Sequence, residues 1–181
     1  MDYERFEMKV TDEDYNTVLE SIKRNLDPNS NTALVVDDEK GIRKMVARNL
    51  KNFAPNLQIY EASNGKDALE KLAKIRKTHT RDPLLIVVDL NMPIMNGWDF
   101  IAEMKKDYKN AEKEEGIPII VLSSTSGETG ALFMKKSVLG GKSGYVPLVA
   151  VAKESCVDKS RYDTDEQKGL EQWLKYFLNA K

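Results

Sequence analysis

Unbroken apolar runs alternate with stretches of helical periodicity along most of this chain. Ala33-Leu34-Val35-Val36 is a short apolar run that ends in Asp37-Asp38. A run without alternation, followed by a helical pattern, predicts a parallel strand covered on both faces. Ile42, Met45, Val46, Asn49, Leu50 and Phe53 then mark a helix with one polar break in its stripe. Leu57 to Ala62 alternates, as a strand nearer a sheet edge does. Asn64-Gly65 turns the chain, and Ala68, Leu69, Leu72 and Ile75 mark the next helix. Leu84 to Val88 is the strongest strand pattern and ends at Asp89. Trp98, Ile101, Met104 and Tyr108 mark a third helix, and the charged stretch Lys109–Glu115 extends the loop after it. Ile117 to Leu122 predicts a fourth strand that ends at Ser123. Before all of these, Thr11 can cap a helix carrying Tyr15, Val18, Leu19, Ile22 and Leu26, which Asp27-Pro28 stops. Repeated strand–helix alternation predicts an α/β, doubly wound parallel sheet.

Composition narrows the function classes. The chain has 181 residues, 41% of them hydrophobic and 31% charged, so a buried core is within reach. Its 28 Lys and Arg offset 29 Asp and Glu, for a net charge of −1. Without a global basic field, nucleic-acid binding by bulk charge is disfavoured. The single Cys156 excludes an internal disulfide framework and any Cys-rich metal site. The single His79 excludes a poly-His zinc site and is expected in a solvated loop. No apolar run approaches the roughly 20 residues of a membrane span, and the N-terminus is charged where a signal peptide is apolar. A soluble, cytoplasmic protein is the expectation.

In doubly wound sheets ligands bind beyond the carboxyl ends of the strands, where strand order reverses. Asp37, Asp38, Asp89 and Ser123 all fall at such ends. Carboxylates gathered in one crevice repel, and a divalent cation relieves them. Mg²⁺ takes hard oxygen ligands and is commonly held by one or two carboxylates plus a phosphate. One Asp after a strand is ordinary, since Asp caps helices and makes turns. Acids and a hydroxyl at the ends of three strands, in this order, point to a small Mg²⁺ site beside an anion site.

Three segments carry a family resemblance: Leu34-Val35-Val36-Asp37-Asp38-Glu39, Val87-Val88-Asp89-Leu90-Asn91-Met92-Pro93-Ile94-Met95-Asn96-Gly97, and Ile117-Pro118-Ile119-Ile120-Val121-Leu122-Ser123-Ser124. They closely resemble the receiver domain of two-component response regulators, convincingly over about residues 31–125. The resemblance implies a five-stranded, flavodoxin-like sheet in residues 31–181, with an insertion near 127–146; the helix read before it makes residues 1–30 an extra N-terminal helical extension. It implies that Asp89 accepts a phosphoryl group from a phosphohistidine. It further implies that Asp37, Asp38, Asp89 and the backbone carbonyl of Asn91 hold Mg²⁺, and that Ser123 is the switch hydroxyl.

The family also places a Lys, usually followed by Pro, at the end of the fifth strand. Two placements compete. One takes Ala152 to Ser160 as the segment and Lys159 as the cation, with a last helix through Leu170, Trp173, Leu174, Phe177 and Leu178. The other takes Gly144-Tyr145-Val146 as the strand, which leaves Leu148 where the cation belongs. Lys159 is adopted, although Lys-Ser then replaces Lys-Pro and Cys156 stands near the expected aromatic switch position. Cys156 itself is expected as a buried strand residue. Gly140-Gly141-Lys142-Ser143 lacks the first Gly and the preceding strand of a phosphate-binding loop. The expected function is a stand-alone signalling switch, not an enzyme acting on a separate substrate. Its partners would be a histidine kinase or histidine-phosphotransfer protein and a downstream protein target, with a second copy of itself as a further candidate. The rival readings are a receiver-fold scaffold that ignores phosphorylation and a Mg²⁺-dependent phosphohydrolase.

Overall fold

The computed structural model describes residues 30–110, 117–123, 149–153, 163–164 and 167–168. Its elements are β1 (Thr32–Val36), α1 (Lys40–Phe53), β2 (Gln58–Ala62), α2 (Gly65–His79), β3 (Leu85–Asp89), α3 (Gly97–Asn110), β4 (Ile119–Ser123) and β5 (Val149–Ala152). A two-stranded antiparallel ladder, β6 (Asp163–Thr164) with β7 (Gln167–Lys168), follows. The expected N-terminal helix, the insertion near 127–146 and the last helix lie outside the described residues.

Five strands form one parallel sheet in the order β2-β1-β3-β4-β5. The order reverses between β1 and β3, so the crevice opens between their carboxyl ends. The alternation of side chains along each strand sorts the core into two layers. Leu34, Val36, Ile86, Val88, Ile119 and Val121 pack with Ala68, Leu72 and Ile75 of α2 and Phe100 and Met104 of α3. Ala33, Val35, Leu85, Val87, Ile120 and Leu122 pack on the opposite face with Val46 and Leu50 of α1. Both faces are covered, which is why these strands read as continuous apolar runs. Strand β2, at the edge, keeps only Ala62 fully buried.

The fifth strand corrects the sequence reading. It is Val149–Ala152, which lies between the two placements considered, and Lys153 follows it directly. Leu148-Val149-Ala150-Val151-Ala152-Lys153 has the same sequence form as the β1 and β3 segments, an apolar run closed by a charged residue. Its alanines stand where the other buried strands carry larger residues, so its pattern is weaker, and the distance to the expected last helix favoured Lys159. A second correction concerns His79. It is the last residue of α2, and its Nε2 lies 3.0 Å from the Tyr60 hydroxyl of β2, with the two rings edge to face.

Candidate functional site

Strand pairing delivers the site residues. Val36 is in register with Val88, Asp89 with Leu122, and Ser123 with Ala152. Asp37, Asp89, Ser123 and Lys153 are thereby brought to one edge of the sheet by backbone register alone.

Asp37 and Asp89 are buried, with 0% and 1% of their surfaces exposed, whereas Asp38 and Glu39 face solvent. Lys153 Nζ lies 2.9 Å from Asp89 Oδ2, 3.1 Å from Asp37 Oδ2 and 3.1 Å from Glu39 Oε1. One ammonium thus bridges carboxylates from the ends of β1 and β3 and the start of α1. The other oxygens are held by backbone: Asp37 Oδ1 accepts from Glu39 N at 2.8 Å, and Asp89 Oδ1 from Asn91 N at 3.2 Å. Asp37 Oδ2 lies 3.1 Å from the ammonium as an ion pair and has no directed hydrogen bond, so the pair alone compensates its charge. Arg43 of α1 ties the turn down by donating to the carbonyls of Asp37 (2.7 Å) and Asp38 (3.4 Å) and to Glu61 Oε2 (3.1 Å).

Burial pushes the Asp37 carboxyl up to about 6, against the lowering effect of its hydrogen bond from Glu39 N and of the neighbouring Lys153 charge. Burial likewise raises Asp89 above the usual carboxylate range, with the hydrogen bonds from Lys153 and Asn91 opposing it. For Lys153 burial pulls downward, but its hydrogen bonds to Asp89 and Glu39 and its ion pair with Asp37 together outweigh this and raise it, so the ammonium stays charged at any physiological pH.

The loop between Asp89 and α3 is shaped by three contacts. Gly97 N donates to the Leu90 carbonyl at 3.0 Å, and a Cβ at Gly97 would run into the carbonyl oxygen of Asp89. Met95 N donates to the Pro93 carbonyl at 2.8 Å, closing a three-residue turn around Ile94, whose φ is 69°. A β-branched residue there is strained, and Ile94 is also 82% exposed. The Met95 carbonyl in turn accepts from Gly65 N at 2.9 Å, which ties the loop to the start of α2. Asn96 caps α3 by accepting from Asp99 N at 2.9 Å, and Asn64 caps α2 by accepting from Asp67 N at 2.9 Å.

The donor set fits a hard divalent cation. Carboxylate oxygens of Asp37, Asp38 and Glu39 lie within 4.8 Å of one another. One buried oxygen lacks a directed donor, and burial holds the two buried acids above their ordinary pKa even with Lys153 beside them. Of the expected residues, Asp37 and Asp89 meet at the crevice through Lys153, with Asp38 beside Asp37. Ser123 is placed there by its register. Lys159 lies outside the described residues, and the cation beside Asp89 is Lys153. Sequence reasoning also passed over Glu39, which stood in the quoted motif, and Arg43, whose clamp only the folded turn reveals.

A doubly wound sheet with acids at its switch point and a lysine bridging them from the far strand defines a carboxylate-centred anion and cation site. The chain belongs to the response regulator receiver domain family of two-component signalling, whose pattern residues 33–139 match. A protein-glutamate methylesterase/protein-glutamine glutaminase of Treponema denticola is 36% identical over 108 residues, 59% of this chain and 26% of that protein. The chain spans about a quarter of the length of the methylesterases it matches. Chemotaxis protein CheY1 of Helicobacter pylori is 30% identical over 104 residues, 58% of this chain and 76% of that protein. The receiver domain of Francisella response regulator 1452 superimposes with a TM-score of 0.52 at 20% identity, over 83% of this chain and 98% of that one. This last likeness bears on the fold alone. Among the described residues, no helix is long and apolar enough to cross a membrane.

Proposed function

We propose that this chain is a phosphorylatable switch in which Asp89 is the phosphoacceptor. The observation that carries the proposal is the bridge from Lys153 to Asp89 and Asp37 at the switch point of the sheet. Asp89 Oδ attacks the phosphorus of a phosphohistidine, the P–N bond breaks, and the imidazole leaves with the bond's electron pair and takes up a proton. Lys153 is placed to compensate charge on the transferring oxygens. Asp37 and Asp38, with Asp89 and the carbonyl of Asn91, would hold Mg²⁺. That ion, when bound, neutralises charge on the phosphoryl group. The Asn91 N–H orients the Asp89 carboxylate, and the Ser123 hydroxyl is proposed to follow the phosphoryl group as the switch element. The phosphodonor would be a histidine kinase or histidine-phosphotransfer protein, and output would pass by contact with a protein target.

The test is intact mass after incubation with a small phosphodonor and Mg²⁺. One phosphoryl group should add to the chain, and none to an Asp89→Asn variant that melts normally. An adduct at full yield in that variant would refute the assignment. The altered fifth-strand region motivated a phosphorylation-independent scaffold; the contact of Lys153 with Asp89 and Asp37 favours the switch over it.

A further inference from the structure

Helix α1 carries a charge pattern that the crevice does not use. It contains Lys40, Arg43, Lys44, Arg48 and Lys51 and no Asp or Glu. Arg43 is engaged at the crevice, as described. Lys40, Lys44, Arg48 and Lys51 are exposed and spaced about one helical turn apart. They form a single row about 16 Å long. Like charges at this spacing repel, so the row lowers the stability of its own helix unless something anionic lies against it.

Beside the row, between α1 and β2, runs an open groove of about 480 Å³ that includes Lys44, Ala47, Arg48, Lys51, Ile59 and Glu61. Strand β2 is the edge of the sheet, so no further strand of that sheet covers this side. The lining is mixed. Ile59, Ala47 and the aliphatic stems of the basic side chains offer apolar contact, while the Glu61 carboxylate is compensated by Arg43, which leaves the lining net basic. Such a lining favours an acidic polypeptide that also carries apolar side chains.

The chain itself contains such a polypeptide. Residues 1–29 hold eight Asp and Glu against four Lys and Arg, and Asp12-Glu13-Asp14 directly precedes the Tyr15, Val18, Leu19, Ile22, Leu26 stripe. This segment lies outside the described residues, but the point where it joins them is defined. Ser30 Oγ donates to the Asp82 carbonyl at 2.8 Å, and the Asn31 carbonyl accepts from Gln58 N at 2.7 Å. The chain therefore enters at the amino ends of β1 and β2, the same end of the sheet at which the last turn of α1 presents Lys51.

We propose that the groove between α1 and β2 seats the chain's own residues 1–29 in cis, with their carboxylates against the Lys40–Lys44–Arg48–Lys51 row. A short tether acts as an effective concentration on the order of millimolar, so even a weak surface contact is populated. The contact is electrostatic and exposed, so it weakens as the Debye length falls from about 10 Å at 0.1 M salt to about 3 Å at 1 M. This proposal does not depend on phosphorylation at Asp89.

Zero-length carbodiimide condensation tests it on the full chain, because an amide forms only between a lysine amine and a carboxylate already in contact. The reaction is run on an equal mixture of ¹⁴N- and ¹⁵N-labelled chain, and linked peptides are read by mass spectrometry. Links from Lys40, Lys44 or Lys51 to carboxylates of residues 1–29 should pair only like isotopes. They should fall about fivefold or more in 1 M salt, and similarly in Arg48→Glu. Arg48 does not react with the reagent, and at its exposed position this change should not lower the melting temperature, since it relieves repulsion along the row. Links between unlike isotopes would overturn the proposal in favour of a second copy on the groove. Absence of links, or links indifferent to salt and to Arg48→Glu, would overturn it outright.

Discussion

Lys153 is the residue on which the site's electrostatics turn, since its ammonium touches the buried carboxylates of Asp37 and Asp89. Lys153→Met should slow phosphorylation from a small donor by about 10²-fold, the usual scale for losing one preorganised charge donor. Lys159→Ala should leave that rate unchanged, and comparing the two rates decides between the candidate lysines. Asp37 makes a second prediction. Its carboxyl is near 3.8 in the unfolded chain and is pushed up to about 6 by burial. The folded state therefore holds the proton more tightly, and its advantage is complete below pH 3.8 and lost as pH rises through 6. The loss is about 3 kcal/mol at most. Asp37→Asn should recover much of it, stabilising the metal-free protein at pH 7.5 and doing little at pH 4. Urea melts at the two pH values check this, and an equal effect at both would sink the explanation.

At the scale of elements, the strand–loop–helix unit from β3 to α3 positions Asp89, and Gly97 is its tightest point. A Cβ there would collide with the Asp89 carbonyl oxygen and press on Leu90 Cα, which is 2.9 Å away. Backbone cannot yield as a flexible side chain does. Gly97→Ala should cost about 1–3 kcal/mol and lower phosphoryl uptake by moving Asp89. A variant with wild-type stability and uptake would mean the loop is far softer than its hydrogen bonds suggest. The same unit shows why parts of the fold were legible in sequence and others were not. β1, β3 and β4 are buried on both faces, and their Val, Ile and Leu runs ending in Asp or Ser could be read directly. β5 is built from alternating Val and Ala, and the spacing to the expected last helix favoured Lys159 over Lys153. Asp37, Asp38 and Asp89 were legible because strand ends place them. The Arg43 clamp and the Glu39–Lys153 pair span separate elements, and nothing in local pattern encodes them. His79 looked like a loop residue because Thr78, Thr80 and Arg81 surround it, yet α2 extends through it before Thr80 closes the helix at a φ of 55°.

For the whole molecule, folding forces carboxylates together at the reversal of the sheet, so stability, pH and cation binding are linked. In chelator, stability should decline as pH rises through the raised pKa of Asp37, because the folded state must then carry a buried anion that the unfolded chain carries in water. A cation that binds only the folded state adds stability in proportion to its occupancy, about 2.7 kcal/mol at 100 times its dissociation constant. Binding requires deprotonated ligands, so a cation competes with the proton on Asp37. Mg²⁺ should therefore raise the melting temperature most near pH 8 and have little effect at pH 5, flattening the pH profile seen in chelator. Asp38 is exposed, so Asp38→Ala should cost little in chelator and yet remove most of the rise caused by Mg²⁺. Sodium chloride at matched ionic strength separates specific binding from screening. A rise of equal size at pH 5 and pH 8, or one that survives in Asp38→Ala, would show that the stabilising ion sits somewhere other than this cluster.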